Sequence, residues 1–354
     1  MNKPIEQNPL WQNYGEITIL DRYGDLYLHV GADVEPLTKT YLICSKALSR
    51  ASVVFEKMLY GGFSESEATS GDHAWTVDLP EDRSEPLELM LHITHGHFNL
   101  VPQKLQLTQL HRFLVLADKY DVLAIARPWA HGWMEAVKSS TLDPLLLAVA
   151  YQMGDLHTFK QMSLVIATSS HVDDDKDLVF GSSGQNKEIS PRKLRDIDHL
   201  MPDGLVHDLA LTRETLLVAL IDPYIDLYRR LKDGRRLCKW SKDDSEICDS
   251  LLLGSLIRSF AAHGFDITAI DPVESYGGSA LKLHSITLGL HLRTVTHYEP
   301  SSYSFSFSTT CQKVLESISS GAISLPLPEN RQSLEPKYDK YIRKQASKTG
   351  LPLM

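Results

Sequence analysis

Two groups of side chains in this sequence have the chemistry of metal ligands. The first combines three thiols with an imidazole, which is the donor set of one common kind of zinc site. Its members are Cys238, Cys248, His297 and Cys311. Their spacing is wide and lacks the C-x-x-C pair typical of zinc sites. We therefore interpret the cysteines as small apolar side chains of the core, and a zinc site built from this set stays as the alternative.

The second group is three histidines that lie close together in the sequence, His92, His95 and His97. Imidazole pairs bind metal ions, but no cysteine or carboxylate completes a ligand set around these three. The first two fall at the end of a predicted helix. We interpret the group as a solvated helix end, and the sequence predicts neither a metal nor a cofactor for the chain.

No motif in the sequence predicts catalysis. The chain has no G-x-G-x-x-G, P-loop, G-x-S-x-G or H-E-x-x-H pattern. Its glycine clusters, at 181–184 and 277–278, lack the strand–loop–helix setting in which glycines hold phosphates. We expect no catalytic residues and keep an enzyme of unrecognised type as the weakest of three functional hypotheses.

The composition predicts an intracellular globular protein. The 354 residues carry a formal net charge of −9, which disfavours direct binding to nucleic acid because such binding depends on Lys and Arg. The first residues lack the apolar core of a signal peptide. The longest apolar stretch, 145–150, is far shorter than the ~20 residues that span a bilayer. We expect a protein of the cytoplasm or nucleus that does not enter a membrane.

The apolar pattern predicts an α+β protein. Residues 16–20, 25–30 and 75–79 alternate apolar and polar side chains, as half-buried strands do. Apolar residues at three- and four-residue spacing predict helices, the first of them over 48–59. This order of elements indicates α+β rather than a doubly wound sheet. The second half is mostly helical, with one long amphipathic helix over 205–231.

These patterns divide the chain into four parts. Residues 1–15 are predicted to be disordered or weakly ordered, 16–140 to form the first domain, and 141–324 to form a mainly α-helical C-terminal region. Within that region, the polar stretch 171–191 is predicted to be a mobile loop. Residues 325–354 are predicted to be a polar tail whose lysines and arginines are solvated.

Several blocks of the N-terminal half resemble the BTB/POZ fold in their order and spacing. They are GDLYLHVG at 24–31, TYLICSKALSRASVVFEKML at 40–59, WTVDLPED at 75–82, HGHF at 95–98 and FLVLADKYDV at 113–122. The resemblance covers residues 24–137. In combination, the blocks resemble a large fungal group of BTB proteins that have a helical C-terminal extension. It implies a small sheet flanked by helices, in a domain that binds other proteins.

The chain departs from the family pattern at the dimer pocket. Many relatives have a buried Asp–Arg pair there, which the resemblance would assign to Asp25 and position 45, but this chain has Ser45. The N-terminus also lacks the apolar helix that strand-swapped BTB dimers use. We therefore leave homodimerisation open.

The resemblance also indicates one segment for partner binding. In BTB adaptors, an apolar-x-Glu segment that follows the first helical hairpin contacts a cullin scaffold, and Phe63 and Glu65 stand in the matching place here. The phenylalanine would fill a pocket on the partner, and the carboxylate would accept a charge-assisted hydrogen bond. The alternative is a loop phenylalanine folded back onto the core. We select these two residues as the partner-binding site.

The first functional hypothesis is thus a protein–protein interaction scaffold or adaptor that acts through a BTB/POZ domain, with a cullin-type ubiquitin ligase as the partner. In this hypothesis the helical half selects or positions a second protein. The second hypothesis is a nuclear transcription-associated BTB protein. It would not read DNA directly, because the sequence has neither a zinc-finger array nor a basic helix.

Overall fold

The structure, a computed structural model, describes residues 17–63, 65–66, 74–139, 143–181, 191–238, 242–293 and 334–353. The chain divides into two units, each of which is described by itself. Unit 1 consists of residues 1–141, 148–156 and 341–354, and unit 2 consists of 142–147 and 157–340. Unit 1 therefore contains two segments that the predicted domain of 16–140 leaves out.

A four-stranded mixed sheet lies in unit 1. Its strands are β1 (Ile17–Ile19), β2 (Leu26–Val30), β3 (Lys39–Ile43) and β4 (Thr76–Leu79). They are ordered β1-β3-β2-β4. Strand β2 pairs antiparallel with β3, whereas β1 pairs parallel with β3 and β4 pairs parallel with β2. The alternate side chains Leu26, Leu28 and Val30 are all buried, as their period of two predicts.

In the described part of the first 139 residues, five α-helices follow or separate these strands. They are α1 (Ser45–Ala51), α2 (Val53–Tyr60), α3 (Ser84–Thr94), α4 (Leu107–Lys119) and α5 (Ala130–Lys138). The single helix predicted over 48–59 is wrong, because the backbone of Ser52 is extended, with φ −138° and ψ 120°. The Ser52 hydroxyl accepts from the Phe55 N–H at 3.0 Å, so Ser52 is the N-cap of a new helix.

Large aromatic side chains fill the core of unit 1. Among the fully buried ones are Phe55, Phe113, Tyr120 and Trp133. Phe55 stacks on Tyr120 with ring centroids 4.2 Å apart, and Phe113 meets Trp133 edge-on at 5.4 Å. Both arrangements are favourable for aromatic quadrupoles. The core is therefore built from side chains that are far apart in the sequence.

The C-terminal residues do not form the polar tail that the sequence predicts. Leu334–Thr349 is a helix, α11, in which Ile342 and Ala346 are buried. These two residues lie four apart on one face of the helix, and the basic side chains of Lys340, Arg343 and Lys344 are exposed, as the sequence predicts. The polar composition masks this stripe, which explains the wrong prediction. Residues 325–333 lie outside the described residues.

Within unit 1, hydrogen bonds join α11 to the segment 148–156. The Tyr341 hydroxyl donates to Gln152 Oε1 at 2.8 Å, and the Tyr341 ring stacks on Tyr151 at 4.5 Å. The Thr349 hydroxyl donates to the Met153 carbonyl oxygen at 2.8 Å. The C-terminal part of α11 is thus a packed element of unit 1.

Unit 2 is mainly helical, as predicted. The helices that lie wholly or largely in it are α7 (Leu156–Ser169), α8 (Leu205–Lys232), α9 (Lys242–Ala262) and α10 (Ala280–Leu288), and α6 (Leu145–Met153) precedes them. Helix α8 is the long helix predicted over 205–231, and it continues through Pro223. Its leucines form a core with Phe260, Phe265 and Leu283. The architecture of the described residues is therefore α+β, with the helices in the majority.

The stretch predicted as a mobile loop, 171–191, contains regular structure in its described part. Strands β5 (His171–Val172), β6 (Leu178–Phe180) and β7 (Arg192–Lys193) form a small antiparallel sheet in unit 2. All three side chains of β6 are buried. This short apolar run is surrounded by acidic residues and glycines in the sequence. The sequence predicts a loop because the composition of the whole stretch is mostly polar. Residues 182–190 lie outside the described residues.

Acid is expected to destabilise unit 1 through His29 of β2. This side chain is buried, its Nδ1 lies 2.9 Å from Thr40 Oγ1, and Asp78 is its neighbour on β4. Burial lowers the pKa of His29 below its usual value of 6.5, although Asp78 partly opposes the shift. Below that value the unfolded chain binds the proton more readily than the fold does. The free energy of unfolding should therefore fall as the pH drops below about 6.5.

Thermal unfolding measured from neutral to mildly acidic pH tests this expectation. His29→Gln keeps a hydrogen-bonding group but does not titrate, so the variant should lose less stability than wild type over the same acid range. An equal loss in both proteins would mean that His29 does not contribute to the acid sensitivity.

Candidate protein-interaction site

The candidate site begins where α2 ends. Helix α2 stops at Gly61, whose N–H donates to the Lys57 carbonyl oxygen at 2.7 Å. Gly62 then adopts a positive φ of 79°, which glycine tolerates at little cost. Phe63 follows, with 62% of its surface exposed. The alternative prediction, a ring folded back onto the core, is therefore wrong.

Hydrogen bonds anchor the loop that carries Phe63. The Ser66 N–H donates to the Phe63 carbonyl oxygen at 3.0 Å, and the Gly62 N–H donates to the Ser66 hydroxyl at 3.0 Å. The Trp75 indole N–H donates to the Glu65 carbonyl oxygen at 2.9 Å. Ser64 and residues 67–73 lie outside the described residues. Hydrogen bonds therefore hold the backbone of the loop both before and after the exposed Phe63 side chain.

Tyr60 adds a second aromatic ring at the end of α2. It is 45% exposed, and it meets Trp75 edge-on with centroids 5.8 Å apart. Its hydroxyl lies 2.6 Å from the Ser45 hydroxyl oxygen. Ser45 also donates its N–H and its hydroxyl to the Asp25 carboxylate, at 2.7 and 2.6 Å. A chain of short hydrogen bonds therefore fixes the Tyr60 ring.

The same chain of bonds shows what Ser45 does in the structure. Ser45 provides neutral donors to the Asp25 carboxylate, from its N–H and its hydroxyl. Hydrogen bonds from neutral donors to a charged acceptor are stronger than neutral pairs. Asp25 therefore joins β2 to the start of α1 without an ion pair at position 45.

Glu65, the second predicted site residue, is half-buried. Its backbone carbonyl accepts from Trp75, and its place in the sequence keeps it two residues from the exposed Phe63 ring. The structure thus brings both predicted residues onto one short anchored loop. A role for the Glu65 carboxylate in binding stays a prediction.

A groove of about 320 Å³ lies elsewhere in unit 1, between α3 and the segment that leads into α4. Leu100 and Leu105 supply apolar surface, while Glu85 and Glu88 supply carboxylates. Glu85 pairs with Arg112 at 3.1 Å, and Glu88 lies 3.6 Å from Lys39. Sequence reasoning did not identify this groove, because its walls come from three separate segments. Its paired carboxylates give no chemical reason to select a particular ligand.

The three histidines near the end of α3 are half-buried rather than solvated. His95 Nε2 accepts from the Cys44 N–H at 3.0 Å, and its Nδ1 donates to the Leu91 carbonyl oxygen at 2.9 Å. Those two bonds require the neutral imidazole. Burial lowers the pKa of His95, in agreement with that state. The predicted solvated helix end is therefore wrong for His95, which joins α3 to the start of α1.

The predicted thiol and imidazole set falls only partly on described residues. Cys238 and Cys248 are both buried, as expected for small apolar side chains. The Asp249 carboxylate accepts the N–H groups of Leu237 and Cys238, at 2.9 and 3.1 Å. His297 and Cys311 lie outside the described residues. The interpretation of the cysteines as core residues is thus consistent for the two that are described.

Three carboxylates converge in unit 2, on Asp173, Asp175 and Asp177. Within the described residues, no other group of three or more potential ligand atoms lies within 4.8 Å. The Lys193 ammonium sits among them, at 2.8, 2.9 and 2.9 Å. These contacts raise the pKa of Lys193. A lysine cation therefore occupies the position that a metal ion would take, and the cluster joins β7 to the turn before β6.

No protein-family model and no curated protein matches the chain. In the part of the chain that the structure describes, no helix combines the length and the apolarity needed to cross a membrane. The candidate site therefore rests on the geometry of the Phe63 loop and on the resemblance of the surrounding sequence blocks.

Proposed function

We propose that this chain is a protein–protein interaction adaptor that acts through a BTB/POZ domain in unit 1. The order of elements supports the proposal, because a strand hairpin, two short helices, a strand and further helices occur in the order that the resemblance implies. The block at 24–31 coincides with β2, and the block at 75–82 coincides with β4. The partner that we propose is the scaffold of a cullin-type ubiquitin ligase.

The exposed and anchored Phe63 carries the proposal. A phenylalanine that is 62% exposed leaves apolar surface in water, and its burial in a partner would contribute roughly 1.5–3 kcal/mol. The hydrogen bonds of Ser66 and Trp75 hold the loop before any partner binds. Such preorganisation lowers the entropic cost of association. The half-exposed Tyr60 at the end of α2 would widen the contact.

Phe63→Ala is expected to weaken binding to the cullin N-terminal region by about thirtyfold or more. Loss of an interface hot spot costs at least ~2 kcal/mol, and each ~1.4 kcal/mol is a factor of ten in affinity. Titration calorimetry with the full chain and the isolated cullin N-terminal region measures the change. The unfolding temperature should stay nearly the same, as is usual for a surface substitution.

Phe98→Ala is the matched control, because Phe98 is also an exposed phenylalanine of unit 1, with 58% of its surface exposed. It should leave the affinity for the cullin region unchanged. Glu65→Gln should weaken binding, since hydrogen bonds to charged groups contribute about 1.5–3 kcal/mol. The adaptor proposal is wrong if wild type does not bind, or if Phe98→Ala and Phe63→Ala weaken binding equally. The transcription-associated hypothesis would then take precedence.

A further inference from the structure

The end of α3 is closed by a tight backbone motif. The His97 N–H donates to the His92 carbonyl oxygen at 2.8 Å, and the Gly96 N–H donates to the Ile93 carbonyl oxygen at 3.2 Å. Gly96 has a positive φ of 76°. This pair of bonds around a left-handed glycine is the Schellman motif. The backbone therefore fixes the separation of His92 and His97.

The Schellman motif brings together the side chains of the two residues that its longer bond joins. These positions usually hold apolar side chains, but here both are histidines. His92 Nδ1 and His97 Nδ1 lie 3.4 Å apart, and the ring centroids are 5.6 Å apart. The two rings thus present the same type of nitrogen to each other at the end of one helix.

A carboxylate lies near the second nitrogen of His92. Glu88 Oε1 is 3.7 Å from His92 Nε2, one helical turn before it on α3. Glu88 is in turn held by the Tyr41 hydroxyl, which donates to its Oε2 at 3.1 Å. Carboxylates that contact the outer nitrogen of a histidine orient the ring and strengthen the inner nitrogen as a metal ligand. At 3.7 Å this contact is longer than a hydrogen bond, and a small movement of the Glu88 side chain would let it accept from His92 Nε2 and act as a positioning residue.

We propose that His92 and His97 bind a zinc ion through their Nδ1 atoms. Zinc–imidazole bonds are about 2.0–2.1 Å long, so two such nitrogens on a tetrahedral ion lie about 3.3 Å apart. The observed separation of 3.4 Å matches this distance. The ion would take the place of the hydrogen between the two Nδ1 atoms, and each ring would bind as the neutral tautomer with its proton on Nε2.

The zinc site is open, because the pair supplies two of the four ligands that zinc usually takes. Among the described residues, no third carboxylate, thiol or imidazole atom joins the pair to form a ligand group. Water would complete the coordination of a bound zinc ion. The zinc site shares no residue with the Phe63 loop, so the zinc proposal does not depend on the proposed adaptor function.

Calorimetric titration of the full chain with zinc ion alone tests the proposal, in a non-chelating buffer at about pH 7.5, where imidazoles are largely neutral. Wild type should bind one zinc ion with a saturable heat that His97→Phe lacks. The phenylalanine keeps a ring at this position of the Schellman motif and removes the ligand atom. We expect the affinity at this site to fall by about a hundredfold or more, because even changes behind the ligands cost roughly 10–100-fold.

His131→Ala is the control, since His131 is an exposed histidine of α5 outside the pair. It should bind zinc like wild type. Glu88→Gln should weaken binding by about 10–100-fold while both ligands remain. The proposal is wrong if wild type and His97→Phe bind zinc equally and thermal unfolding curves show that both proteins are folded. It is also wrong if the loss of binding in His131→Ala is as large as that in His97→Phe.

Discussion

Phe55→Ala should destabilise unit 1 by about 3–5 kcal/mol, the usual cost of truncating a buried phenylalanine. Phe55 is fully buried in α2, and its ring stacks on Tyr120 at 4.2 Å with an interplanar angle of 18°. Truncation removes both the buried apolar area and the stacking contact. Because whole domains are stable by only about 5–15 kcal/mol, the soluble yield of the variant should drop sharply.

Val53→Ala is the matched control for Phe55→Ala. Val53 begins the same helix but is 53% exposed, so its truncation should change stability by no more than about 0.5 kcal/mol. Soluble yield and chemical denaturation of the full chain provide the comparison. A Phe55→Ala protein as stable as Val53→Ala would contradict the assignment of Phe55 to the core.

Gly154→Ala is the second substitution with a large expected effect. Gly154 has a positive φ of 83°, and a Cβ atom added to it would clash with the backbone nitrogen of Ala346 in α11. The left-handed conformation costs an alanine about 1–2 kcal/mol, and overpacking adds about 1–3 kcal/mol. The total loss should therefore reach roughly 2–5 kcal/mol. Chemical denaturation of the full chain measures it.

Gly62→Ala separates the two contributions. Gly62 has nearly the same positive φ, 79°, but a Cβ atom there would meet no atom of the described residues within 4 Å. It should lose only the ~1–2 kcal/mol of the left-handed conformation. If both variants lose the same stability, α11 does not pack on Gly154, and the assignment of residues 341–354 to unit 1 is wrong.

Much of the fold follows from local periodicity. The alternation of apolar and polar residues predicts β2 and β4 to within a few residues, and the long apolar stripe predicts α8. The break between α1 and α2 does not follow in this way. Ser52 ends one helix and caps the next, while its hydroxyl donates to the Tyr120 carbonyl oxygen at 2.6 Å. That bond joins residues 68 positions apart, so no local pattern contains it.

The position of the candidate site could be predicted from the sequence, but the hydrogen bonds that anchor its loop could not. The exposure of Phe63 follows from its place after two glycines and before a polar run. The bonds that anchor its loop involve Trp75 and Ser66, and neither residue has a sequence signal for that role. The histidine pair is different. The spacing of His92, Gly96 and His97 matches that of a Schellman motif, so the helix end could be predicted from the sequence. The pairing of the two histidines is harder to predict, because these positions usually hold apolar residues.

Residues from both ends of the chain make up unit 1, and this order has a consequence for synthesis on the ribosome. About 185 residues separate 156 from 341. At roughly 5–20 residues per second, the ribosome needs on the order of 10–40 s to add them. During that interval the surface that receives Ile342 and Ala346 is without its cover. The nascent chain therefore exposes this apolar surface for longer than a domain encoded by one continuous stretch would.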